Sequence, residues 1–244
     1  MRVVNESMLF SQEFKDIVIA DAALSLAFNM IITGAASIVS DPALFFYFLP
    51  ISIIAVTLTF VLHELMHKFT AQRFAAIAAF RASPTGLAIT LLSGFLGFLV
   101  GIPGATMIYS NSFTRKEEGY VSLAGPLTNF AIFLVFLAFG LLSYRNFIGS
   151  INSTFTPYFQ YNSYVHNIVN MTMYISIILA FFNMLPIYPL DGSKVLRWNK
   201  QVYYAMLGIT AVLLLLVGYP IFGLVFMLIM AYMFSMVYSN VRLF

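Results

Sequence analysis

The chain has no cysteine. That excludes disulfides, a thiol nucleophile and thiolate metal ligands, so any metal site must draw on His, Asp or Glu. Charge is almost as scarce. Asp, Glu, Lys and Arg make up 9% of the 244 residues, against about 25% in an ordinary soluble domain. So few ionisable groups cannot coat a water-facing surface of this size. A soluble domain and a disordered chain are excluded. A nucleic-acid binder is excluded too, although the net charge is +3, because the basic residues are scattered along the chain rather than massed in a patch. No long polar tract marks off a second domain, so residues 1–244 read as one membrane domain.

What fills the chain instead is apolar: 61% of it is hydrophobic and 17% aromatic. Lipid is the solvent such a composition suits, and a membrane-spanning helix needs about 20 apolar residues. Six stretches qualify: 17–39, 44–66, 120–143, 167–188, 201–218 and 220–241. The last two are separated by Gly218, Tyr219 and Pro220, a turn signal, and read as a helical hairpin over 201–241. A seventh stretch, 85–109, is apolar enough to span but carries five glycines and Pro103. These weaken a helix by about 1 kcal/mol per Gly and about 3 per Pro. They suit a re-entrant segment with strand-like pieces, tolerated where protein or water covers its backbone.

The basic residues decide between the two topologies. With six spans and a re-entrant 85–109, Arg2, Lys15, Lys68, Arg73, Arg81, Arg115, Lys116, Lys194, Arg197, Lys200 and Arg242 share one side, and Arg145 alone lies on the other. This is a positive-inside pattern with both termini cytoplasmic. If 85–109 crossed, the bias would vanish. The expected fold is therefore an all-α polytopic membrane protein of six spans, with a small re-entrant β segment between spans two and three.

The sharpest chemical signal is His63-Glu64-Leu65-Met66-His67. Residues i and i+4 share a helix face, so both imidazoles can reach one metal ion, with Glu64 beside them as general base. Two interfacial histidines at a helix end are the bland alternative, and ionisable groups at membrane depth are costly enough to argue against it. A catalytic zinc usually has three protein ligands and an open position. The candidates for the third are His166, Glu117, Glu118 and Asp191. His166 falls at the opposite membrane face, near Tyr158, Tyr161 and Tyr164, and reads as interfacial. Glu117 and Glu118 sit in a charged, solvated turn. Asp191 ends span four, and spans two and four both run outside to inside, so it lies at the depth of the HExxH. Pro186 and Pro189 break the helix ahead of it and Gly192 allows a sharp turn, which would hook Asp191 back toward the metal. A helix-capping Asp is the alternative reading. Gly125-Pro126-Leu127-Thr128-Asn129 opens span three, and Asn183 is a lone amide in span four. Either Asn129 or Asn183 suits an oxyanion or a substrate carbonyl as well as a structural interhelical bond.

HELMH, AGPLTN and NMLPIYPLDG, in this order and on these spans, resemble the site-2 protease family of intramembrane zinc metalloproteases. The resemblance covers a core of about residues 44–200. It implies one zinc per chain held by His63, His67 and Asp191, with Glu64 activating water. It also implies motif positions at Gly125, Pro126, Asn129, Asn183, Pro186, Pro189 and Gly192. Substrates would be the transmembrane segments of other proteins, cut on the cytoplasmic side by a compact form lacking PDZ or CBS modules. Met66 stands where the family often has a small residue and is expected to tighten packing near the metal. Spans one, five and six carry none of these motifs and are expected to gate access. Competing readings are a membrane zinc protease of another HExxH family using Glu117 or Glu118, a metal-binding transporter, and an inactive homologue.

Overall fold

A computed structural model describes residues 6–99, 103–109, 113–143, 164–219, 225, 228, 229, 232 and 233. The chain divides into two compact units, Met1–Ser112 and Phe113–Phe244. Among the described residues four helical stretches are long and apolar enough to cross a membrane: Ser11–Thr33, Pro42–Arg73, Arg115–Ser143 and Tyr164–Asn183. Lys200–Leu216 is apolar but shorter. The chain is a multi-pass membrane protein, mostly helical, with one two-stranded sheet among the described residues. The sequence-predicted sixth span, 220–241, lies largely outside the described residues.

In the first unit, α1 (Glu6–Thr33) ends where Gly34 takes a φ of +80°, a left-handed conformation that only glycine adopts without strain. A single turn, α2 (Ser37–Ser40), leads to α3 (Pro42–Val56). The Asp41 side chain accepts from Leu44 N at 3.1 Å and caps α3, with Pro42 at its first position. One π-helical turn, Thr57–Val61, joins α3 to α4 (Leu62–Arg73). Buried polar groups bind these apolar helices together. Asn29 on α1 donates to Phe45 O at 3.1 Å and accepts from Ser52 Oγ at 3.2 Å, the kind of interhelical bond that serves where lipid offers no hydrophobic drive.

The segment after α4 differs from expectation. β1 (Ile77–Ala82) precedes the glycine-rich stretch, α5 (Pro84–Phe95) is a helix within it, and β2 (Gly104–Tyr109) pairs antiparallel with β1, Phe80 opposite Thr106. The β segment is therefore not confined to 85–109, and its first half is helical. Ser83 caps α5 by accepting from Gly86 N at 3.1 Å, and Pro84 pre-sets the first turn. Gly94 serves packing rather than strand formation. A Cβ there would overlap the Ala27 backbone of α1, so the glycine lets two helices approach closely. α5 has 12 residues and is about 18 Å long, too short for a hydrocarbon core of about 30 Å. Ala82 pairs with Gly104 and Ser83 N donates to Pro103 O at 2.8 Å. The chain leaves and returns at one place, as a re-entrant segment does.

The second unit contains α6 (Arg115–Ser143), α7 (Tyr164–Asn183), α8 (Asp191–Trp198) and α9 (Lys200–Leu216). Gly125, Pro126 and Asn129 are buried along α6. Gly119 admits the Trp198 ring, which a Cβ would overlap. Met184, Val195, Tyr203 and Met206 form a core that ties α8 and α9 to the end of α7. Large apolar side chains such as Val135, Leu142 and Leu216 stay exposed, as suits surfaces that face lipid.

Candidate metal centre and active site

α4 presents His63 and His67 one turn apart on a buried face, 4% and 7% exposed. Their Nε2 atoms stand 3.0 Å apart. Two nitrogens about 2.05 Å from one tetrahedral zinc lie roughly 3.3 Å apart, so the pair need only spread by a few tenths of an ångström to take an ion. Two convergent imidazole nitrogens are a donor set that suits zinc, and the pair fits the ion. The buried face excludes Met66, which points outward and is 37% exposed.

Glu64 is half-buried. Its Oε2 accepts from Thr106 Oγ1 of β2 at 2.8 Å, and the same hydroxyl lies 3.3 Å from Glu64 O. Sequence reading did not find Thr106, which carries no motif and lies 42 residues away. It also missed the π turn just ahead of the motif, where Thr57 Oγ1 donates to Asp21 Oδ2 of α1 at 2.7 Å. A π turn in a helix often marks a functional site. A third omission is the anchoring of α4 and β1 on α1. Glu13 accepts from Lys68 Nζ at 2.5 Å and from Phe80 N at 3.2 Å, and Asp16 meets Arg81 at 3.3 Å. Lys68 directly follows His67, so this largely buried pair holds the end of the motif.

In the second unit the chain turns tightly after α7. Asn183 donates to Leu179 O at 3.0 Å. Ile187 N bonds Leu185 O and Leu190 N bonds Ile187 O, both at 2.8 Å. Pro186 and Pro189 stand in this turn, and the Tyr188–Pro189 peptide is cis. Asp191 is the first residue of α8, half-buried. Gly192 works by close approach rather than by an unusual φ, since a Cβ there would overlap the carbonyls of Met184 and Leu185. The other acidic candidates are engaged elsewhere. Glu117 closes a capping box, accepting from Thr114 N at 2.8 Å and Thr114 Oγ1 at 2.7 Å. Glu118 pairs with Arg197 at 3.3 Å. His166 is buried in the first turn of α7.

A multi-pass helical protein with an HExxH pair buried on one helix is a membrane metallopeptidase in outline. Residues 51–203 match the model of peptidase family M50. The chain belongs to that family, the site-2 proteases, which are zinc metalloproteases. It is 37% identical over 173 residues to a Methanocaldococcus jannaschii protein named putative zinc metalloprotease MJ0611, covering 70% of this chain and 79% of that one. It is 25% identical over 160 residues to putative zinc metalloprotease YwhC of Bacillus subtilis, covering 61% and 68%. No solved structure matches significantly.

Proposed function

We propose that this protein is an intramembrane zinc protease that hydrolyses a peptide bond within or near the transmembrane segment of other membrane proteins. The observation that carries the reading is the buried convergence of two imidazoles from one HExxH within the family match. His63, His67 and Asp191 would hold one zinc ion, three ligands and an open position being the catalytic pattern. Asp191 is supported as third ligand by the tight turn that positions it and by the engagement of Glu117 and Glu118. When bound, zinc supplies Lewis acidity, polarising the scissile carbonyl and bringing the acidity of water near neutral pH. Glu64 takes the proton of the attacking water and passes it to the leaving amine. Asn129 and Asn183 are the amides proposed to steady the substrate carbonyl or its oxyanion.

A transmembrane helix hides its carbonyls in hydrogen bonds and must unwind before it can be cut. The sheet ends at β2 among the described residues, and an unwound stretch would add to that edge as a third strand. Both termini and the opening of the site would face the cytoplasm, supported by the distribution of Lys and Arg. Purified full-length protein mixed with a single-span membrane substrate tests the assignment. Cleavage should stop on chelation, return with zinc and be absent in Glu64→Gln. Chelator-insensitive cleavage would overturn it.

A further inference from the structure

We propose that Thr106 is a positioning residue for the general base, its hydroxyl fixing the Glu64 carboxylate while its backbone sets the register of a substrate strand on β2. The inference rests on the proposed proteolytic function. Two faces of one residue carry it. The side chain donates to Glu64 Oε2 at 2.8 Å, close to a second acceptor, Glu64 O, at 3.3 Å. A carboxylate on a rotatable side chain is thereby held in one orientation against the strand.

The backbone direction follows from the ladder. In an antiparallel pair, residues alternate between those that exchange bonds with the partner strand and those whose N–H and C=O point away from it. Ser83 N donates to Pro103 O at 2.8 Å, which sets the bonded positions of β1 at odd numbers. Phe80 agrees, because its N–H is turned away from β2 and donates to Glu13 Oε1 at 3.2 Å. Thr106 is the partner of Phe80, so its N–H and C=O point out from the opposite edge of the sheet. The two edges differ in consequence. The β1 edge is closed at Phe80 by a carboxylate of α1, whereas β2 is the last strand among the described residues. A strand added to β2 bonds Thr106 through its main chain, next to the carboxylate that Thr106 holds through its side chain. Capture and proton transfer are thus referenced to a single residue, and the scissile peptide is placed at the level of Thr106.

The two roles separate by experiment. Thr106→Val keeps the shape and the main chain but removes the donor, and Thr106→Ser restores it. With the full-length protein in proteoliposomes and a single-span substrate, Thr106→Val should lower kcat roughly 10- to 100-fold, the scale of a misplaced catalytic group. KM should stay within about twofold, since binding uses the unchanged backbone. Zinc content and thermal unfolding should match wild type, and Thr106→Ser should recover most of kcat. Unchanged kcat in Thr106→Val, or a Ser variant no better than Val with zinc and fold intact, would overturn the proposal. If Val disturbs zinc or folding, Thr106→Ala against Thr106→Ser decides in its place: impairment in Ala with recovery in Ser supports the proposal, and equal rates defeat it. Failure of the underlying function looks different, because the wild-type protein would then show no chelator-sensitive cleavage of the substrate.

Discussion

His63 and His67 could be assigned to one site from the sequence because their relation is local: four residues on a helix fix both side chains on one face. Replacing either should remove the ion, so His67→Ala is expected to purify with less than a tenth of the wild-type zinc on the order-of-magnitude scale of a lost ligand. Elemental analysis of the purified protein checks this. Glu64→Gln should keep zinc and lose at least about 100-fold in kcat, the usual contribution of a general base. Asp191→Ala should lose zinc, while Glu117→Ala and Glu118→Ala keep it, because those two carboxylates already serve Thr114 and Arg197. Thr106 was not legible. Its partner is distant in sequence, and nothing in a lone strand threonine says that a hairpin will bring it to a carboxylate. Asn183 was legible as an unusual residue but not in its bonding, since an amide at a helix end can turn back on its own backbone, as it does toward Leu179.

At the level of elements, the long apolar helices could be read from composition, whereas the glycine-rich segment misled. Glycine has two uses in membranes, breaking a helix and letting helices touch, and the sequence does not say which applies. Gly94 is of the second kind. Gly94→Ala should therefore destabilise the protein by about 1–3 kcal/mol through overpacking against Ala27. Gly208 of α9 has open space around it, so Gly208→Ala should be neutral or gain up to about 1 kcal/mol of helix propensity. Paired melting curves in one detergent test the contrast. α1 also proved richer than its lack of motifs suggested. Its Glu13 is nearly enclosed beside Lys68, and breaking one partner of a buried pair costs about 3–5 kcal/mol. Glu13→Met alone should lower the melting temperature markedly. The Glu13→Met/Lys68→Met double variant should recover much of the loss, because no unpaired ammonium remains buried. A motion of α1 away from α4 and β1 would have to break the same pair.

For the whole molecule, the decisive question is how many times the chain crosses the bilayer. The distribution of Lys and Arg favours a segment between spans two and three that does not cross. The structure adds an independent reason, since Ala82 and Gly104 are paired neighbours and α5 is too short to traverse the core. Both ends of this segment should therefore be reached from the same face. The absence of cysteine makes the test clean, because a single introduced thiol is the only one present. Ser83 would be a poor choice for the first position, as its hydroxyl caps α5. Arg73, exposed at the end of α4, disturbs less. Arg73→Cys and Ser112→Cys in intact cells should both resist a membrane-impermeant maleimide and both react once the membrane is opened. A cysteine in place of Arg145, the one basic residue expected outside, should react from the start. Labelling of Arg73→Cys and Ser112→Cys from opposite faces would mean that the segment crosses, and the six-span topology with its cytoplasmic site would fall.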